Sequence, residues 1–170
     1  GAQVEAGLTP SSYIPTAGAT ATRAADLLTV PAANLPYSSA NMSIQINGKM
    51  TGNTLTPVRW RLDANNNISI EAGTNDFDFT QKALGVVDAV TGGSFTSGTN
   101  VPFNLAARNG SAFINGAVGG TFLIANATPT ALPNLLSTDL EIGEIFMGTI
   151  GKFRVWSEDI TNAGIAGAST

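Results

Sequence analysis

The chain predicts an all-β fold, a two-sheet antiparallel β-sandwich, and three observations predict it. Charged residues make up only 12% of its 170 residues and hydrophobic ones 43%. An average soluble chain carries roughly 25% charge, so solubility here must rest on uncharged polar groups. Those groups are 20 Thr, 15 Asn and 12 Ser, accompanied by 19 Gly, a mixture that favours short strands and tight turns over long helices. From Asn41 onward, apolar and polar residues alternate with period two in one short run after another, the mark of strands with one buried face. This length suits one domain, or one domain plus an arm, with enough residues to bury a core.

Residues 1–40 read as an arm or linker. Pro10, Pro15, Pro31 and Pro36 interrupt it, and the Thr/Ala/Gly run from Thr16 to Thr22 has no pattern that could bury a face. Its apolar side chains, Tyr13, Ile14, Leu27, Leu28 and Val30, need a neighbouring sheet or another subunit to dock on. Gly1 is no initiator Met, and Gln3-Val4-Glu5 alternates like the middle of a strand, which leads us to expect an element begun upstream.

Residues 41–170 supply the sandwich. Met42, Ile44 and Ile46 alternate with Ser43, Gln45 and Asn47; Val58, Trp60 and Leu62 alternate with Arg59 and Arg61; Ile68 and Ile70 alternate with Ser69 and Glu71. Asp63-Ala64-Asn65-Asn66-Asn67 separates the last two runs with Asx residues suited to a hairpin tip. Phe103 and Leu105 then lead to Ala112-Phe113-Ile114, and Asn115-Gly116 is expected to turn the chain again, Asn-Gly being the strongest short hairpin signal. Leu140 with Ile142, and Ile150, Phe153, Val155 and Trp156, provide the closing strands; Ile160 and Ile165 face the core from a short helical turn. The pattern buries Ile44, Ile46, Trp60, Leu62, Ile68, Ile70, Phe113, Ile142, Phe153 and Val155 between the sheets, puts Trp156 on the buried side, and points Gln45, Arg59 and Arg61 outward.

What is missing narrows function sharply. The chain has no His and no Cys, which removes Ser-His-Asp and Cys-His catalysis, Cys/His zinc sites, disulfides and thiol redox chemistry. Its net charge is −4, and its eight Lys and Arg never cluster, so neither nucleic acid nor an anionic membrane surface is an expected partner. No apolar run approaches the roughly 20 residues of a membrane span.

Two ligand chemistries deserve weighing. Asp63, Asn65 and Asn67 imitate the opening of a calcium loop, and Asn75, Asp76 and Asp78 add oxygen ligands. Ile68, however, stands where such a loop needs Gly, and Thr74 where it needs a bidentate Glu. A hairpin tip is the expectation, with no cofactor. A sugar instead needs an exposed aromatic ring flanked by amides and carboxylates. Trp60 and Trp156 fall on the buried face, so Asn75-Asp76-Phe77-Asp78-Phe79 and Phe95 are the expected ligand-binding residues, with Phe77, Phe79 and Phe95 exposed.

Three motifs in order resemble the concanavalin A-like, laminin G-like jelly roll. They are Ala112–Val118 around Asn115-Gly116, then Leu140-Glu141-Ile142-Gly143, then Gly148–Trp156 followed by Asp159-Ile160-Thr161. The arm carries a second resemblance. Gln3-Val4-Glu5-Ala6-Gly7, Ser12-Tyr13-Ile14-Pro15-Thr16 and Thr22-Arg23-Ala24-Ala25-Asp26 resemble the junction in phage tail-fibre, head-fibre and related virion proteins. There the end of a carbohydrate-binding-module-like jelly roll leads into a laminin G-like domain. The resemblance implies that Gly1 lies inside a truncated upstream domain and that the chain sits on the surface of a virion or virus-like particle.

Glucanases of this fold use Glu-x-Asp-x-x-Glu on one strand, since retaining cleavage needs two carboxyls about 5 Å apart. Asp139, Glu141 and Glu144 share that spacing with the identities changed, and Glu144 falls on the opposite face unless a bulge intervenes. No catalytic residue is therefore expected. The resemblance implies a fibre or spike domain that attaches to a host-surface glycan, with other virion proteins as partners. The alternatives are a purely structural oligomerisation module and, after it, a polysaccharide depolymerase. The arm's unhoused apolar residues suggest a homo-oligomer, and the resemblance to phage fibres suggests a trimer.

Overall fold

The period-two runs do become strands, and their apolar sides meet. In the computed structural model, which describes residues 27–170, eleven strands form β1 (Leu28–Val30), β2 (Asn41–Gly52), β3 (Leu55–Asp63), β4 (Asn66–Ala72), β5 (Phe77–Ala83), β6 (Val86–Gly92), β7 (Gly98–Gly110), β8 (Ile114–Val118), β9 (Thr121–Phe122), β10 (Leu140–Ile145) and β11 (Gly148–Trp156). One short helix, α1 (Thr161–Ala168), closes the chain. A six-stranded sheet runs β1-β10-β3-β4-β5-β6 and a five-stranded sheet runs β11-β2-β7-β8-β9. All these pairings are antiparallel. The fold is the predicted β-sandwich.

The core lies between the sheets. Trp60, Ile68, Ile70 and Phe79 on one side and Met42, Ile44, Ile46 and Leu105 on the other are fully buried. Burying a side chain of this size contributes about 1.5–3 kcal/mol, which makes this layer the main source of stability. Phe153 and Val155 are half-buried and pack against it. Leu28–Val30 of the arm pairs with β10 of the same chain, Val30 packing on the core while Leu27 and Leu28 stay exposed. Tyr13 and Ile14, and the motifs quoted from residues 3–26, lie outside the described residues.

Several expectations are corrected, each for a physical reason. Leu62 is exposed, because the β3–β4 register slips between Arg61 and Asp63 and leaves it without a partner beside the hairpin tip. Asn115-Gly116 is not a turn but buried β8 backbone; the chain reverses at Gly119-Gly120, both with positive φ, as a two-residue hairpin turn requires. Gly116 serves close packing instead, since a Cβ there would meet Cδ2 of Phe79 at 2.1 Å. Phe113 is only half-buried and lies under the Arg108 guanidinium, 3.9 Å from its ring centroid.

The outer face of the five-stranded sheet accounts for the remaining differences. Gln45 does point away from the core, yet it is 2% exposed because α1 covers it, its Nε2 donating to Ala168 O at 2.7 Å. Trp156 pairs with Ser43, while Val155 pairs with the core residue Ile44; Trp156 is therefore on the outward side, half-buried. Ile165 and Ile160 build a small second core with Ala106 and Ala117 on this face rather than joining the main one.

Candidate functional site

Four surfaces could carry function: the outer face of each sheet and the two ends of the sandwich. On the six-stranded sheet, Glu141 pairs in register with Arg59, and Arg59 with Ser69, which sets a polar row across β10, β3 and β4. A register shift between Ile142 and Ile145, with Gly143 at φ +77°, brings Glu144 into the same cluster. The bulge thus cancels the opposite-face expectation. Arg59 meets Glu144 at 2.6 Å and Glu71 at 3.1 Å, and Arg61 meets Glu144 at 3.2 Å and Glu141 at 3.4 Å. Asp139 accepts a bond from Ala32 N at 2.9 Å. The glycosidase arrangement needs two carboxyls facing substrate, one carrying a proton. Here Glu141 and Glu144 face guanidinium groups instead, an arrangement suited to bracing a sheet.

The outer face of the five-stranded sheet is occupied by α1. Arg108 Nε donates to Asp159 at 2.7 Å, its Nη2 also donates to Asp159, and its Nη1 donates to Asn162 at 2.8 Å. Asn115 Nδ2 reaches Asn162 Oδ1 at 2.9 Å. This network docks the helix and leaves its groups engaged.

One end of the sandwich holds the ligand residues expected from sequence, and the structure corrects their exposure. Phe77 and Phe79 are 1% and 0% exposed, because β5 directs them, with Gln81, to the core side. Phe95 is half-buried and stacks on Phe77 with ring centroids 4.9 Å apart. Asp78 accepts a bond from Thr91, and the carbonyls of Asn75 and Asp76 accept from Phe95 N at 3.0 Å and Gly73 N at 2.9 Å. The residues are brought together, but as a self-bonded segment over buried Phe77 and half-buried Phe95.

Asp63, Asn65 and Asn67 lie at the β3–β4 hairpin. Asn65 N donates to Asp63 Oδ1 at 2.7 Å and Asn66 Nδ2 to the same oxygen at 3.1 Å. The bond from Asn65 N is the chief reason the Asp63 carboxyl titrates below its ordinary value. Its oxygens thus shape the tip itself.

The other end carries the cleft with binding chemistry. Tyr37, Ser38 and Ser39 precede β2, the loop from Leu132 through Asn134 to Leu136 precedes β10, and Ser157 follows β11; they line an open cleft of about 620 Å³. Tyr37 packs edge-on against Trp60, centroids 6.1 Å apart at 78°. Trp60 is itself fixed by Nε1–H donating to Thr138 O at 2.9 Å. The Tyr37 ring thus packs on the core, half-buried, with the cleft beside it. The opposite wall is fixed by Gln81, whose Nε2 donates to Ala131 O at 2.5 Å and Gly110 O at 3.0 Å, and by fully buried Leu135.

The polar atoms of the cleft are partly spoken for and partly free. Ser38 Oγ accepts from Ala40 N at 3.2 Å and Asn41 N at 3.4 Å, which leaves its hydroxyl hydrogen to donate. Asn134 Oδ1 accepts from Leu136 N at 3.2 Å, which leaves Nδ2 with no partner among the described residues. Ser39 and Ser157 are exposed. An aromatic ring packed on the core, the side chain of Leu136, and a rim of hydroxyl and amide groups match the apolar face and hydroxyl rim of a sugar. Sequence reasoning missed this site because three distant segments build it, and only Pro36-Tyr37-Ser38-Ser39, a turn-rich run holding an aromatic, hinted at it.

Solved structures share this fold. The CBM40 of Ruminococcus gnavus IT-sialidase, bound to alpha2,3 sialyllactose, superposes with a TM-score of 0.63 and 9% identity, covering 78% of this chain and 84% of that one. The binding domain of botulinum neurotoxin DC matches in complex with rat synaptotagmin II, with a TM-score of 0.58 and 14% identity over 75% of this chain and 35% of that one. It matches again in complex with SialylT, with a TM-score of 0.58 and 14% identity over 75% and 34%. The chain spans about a third of the neurotoxin domains' length. At such identities the likeness is one of fold. No family model and no curated protein matches the sequence.

Proposed function

We propose that this chain is a non-catalytic glycan-binding domain that holds its sugar in the cleft of Tyr37, Ser39, Asn134 and Ser157. The observation that carries the reading is that cleft: an aromatic ring packed on the core with uncharged donors around it at an open end of the sandwich. Support also comes from the fold, since one neighbour is described bound to alpha2,3 sialyllactose and another in complex with SialylT. The further setting is a fibre or spike on the surface of a virion, outside the cell, where the domain attaches to a host glycan. That setting rests on the resemblance of Gln3–Asp26 to phage fibre junctions. In this reading residues 1–40 form the arm, whose Tyr37–Ser39 supply one wall of the cleft, and 41–170 form the sandwich that supplies the rest.

A glycan array probed with the full chain, followed by calorimetric titration of each hit, tests the proposal. Tyr37→Ala should weaken binding about tenfold, since an aromatic contact is worth about 1.5 kcal/mol beyond its area. Asn134→Ala, at an exposed position, should weaken it with folding unchanged. A blank array, or hits indifferent to both substitutions, would overturn it.

A structural oligomerisation module is the second reading, and one observation favours it. Phe122 and Ile124, 50% and 93% exposed, line an open cleft of about 550 Å³ beside Ala89–Thr91 of β6, and Val87, 56% exposed, lies two residues before that lining on the same strand. Exposed apolar surface of this kind marks contact sites. Light scattering on the chain and on Val87→Lys with Ile124→Lys decides: a trimer that the double variant dissociates supports this module, and a monomer throughout removes it.

A further inference from the structure

We infer that the cleft selects glycans with an uncharged terminus and discriminates against those ending in a carboxylate or sulfate. The inference rests on the glycan-binding reading above and adds the ligand class. Among the described residues no charged side chain lines the cleft; its polar groups are the hydroxyls of Tyr37, Ser38, Ser39 and Ser157 and the amide of Asn134. Recognition of an anionic sugar depends on charge-assisted bonds, above all from the planar fork of Arg, because a carboxylate stripped of water needs a cation or several strong donors.

Among the described residues, three arginines are held in ion pairs and the other four cations stand outside the cleft lining. Arg59 and Arg61 are paired with Glu71, Glu141 and Glu144 on the outer face of the six-stranded sheet. Arg108 is paired with Asp159 beneath α1. Arg154 pairs in register with Gln45 on the outward side of the other sheet, and Lys82 with Asn67 on the outward side of the six-stranded one. Lys49 and Lys152 sit further along β2 and β11, away from the end that holds the cleft. The net charge of −4 adds a general repulsion. A neutral sugar loses nothing by this arrangement, because its hydroxyls both donate and accept and can match serine, tyrosine and amide groups in either sense.

The test uses the full chain and matched glycan pairs that differ only by a terminal sialic acid or sulfate, read on the array and by titration at low and high NaCl. The neutral members should bind, their acidic partners about tenfold or more weaker, about the effect of one missing charge-assisted bond. Affinity for the neutral members should not change with salt, since screening acts only on charges. Ser157→Arg, which places a cation at an exposed rim position, should narrow the gap. Acidic members bound as tightly as their neutral partners, and lost in Asn134→Ala, would overturn this inference while leaving the cleft as the site. Failure of both sets to bind would overturn the reading on which it rests.

Discussion

Single residues set distances that the rest of the fold obeys. Phe79 can lie flat in the core only because Gly116, on the facing sheet, has no side chain, and a Cβ there would fall within 2.4 Å of three ring atoms. Gly116→Ala should therefore cost about 1–3 kcal/mol through overpacking, read as a lower urea midpoint; an unchanged midpoint would show that the ring has room to move. Asp63 makes a second prediction. Its carboxylate is held below its ordinary pKa by the Asn65 backbone N–H, so the folded state favours the charged form. Its contribution to stability is present above the ordinary Asp value of about 3.9 and is lost as pH falls through the lower folded value. An NMR titration of the Asp63 carboxyl carbon should give a midpoint below about 3.9, and one at or above it contradicts the hairpin geometry.

Elements depend on side chains that reach across them. Arg108, on β7, joins Asp159 and Asn162 before and within α1 while covering Phe113. Arg108→Ala should destabilise by about 1.5–3 kcal/mol, the usual worth of hydrogen bonds to a charged group. It should speed amide exchange of α1 ahead of the sheets; uniform exchange would mean that the helix is held by its apolar contacts alone. The strands themselves were legible because alternation is a local signal. Met42-Ser43-Ile44-Gln45-Ile46 and Phe77-Asp78-Phe79 follow it equally well, and which face of each is covered is decided by whatever packs there. For Phe77 and Phe79 the answer is the opposite sheet, and for Gln45 it is α1. Neither partner is recorded in the run that it covers. Asn115-Gly116 misled for a related reason: glycine serves close approach as well as turns, and only the position of Phe79 tells them apart.

At the scale of the whole molecule, the two ends of the sandwich differ in kind. One end turns Phe77 and Phe79 into the core and keeps Asp78 on the outward side, bonded by Thr91, while the other leaves a tyrosine packed on Trp60 and uncharged donors beside open space. The cleft was beyond the sequence because its walls come from before β2, before β10 and after β11, and their meeting is a product of topology. The most direct test of its role is chemical-shift mapping of the full chain titrated with the strongest neutral glycan from the array. The account predicts that the amides of Tyr37–Ser39, Leu132–Leu136 and Ser157 shift together and saturably, with those of Asn75–Phe79 and Phe95 unmoved. Saturable shifts centred on Asn75–Phe79 and Phe95, with the Tyr37 cleft silent, would contradict it.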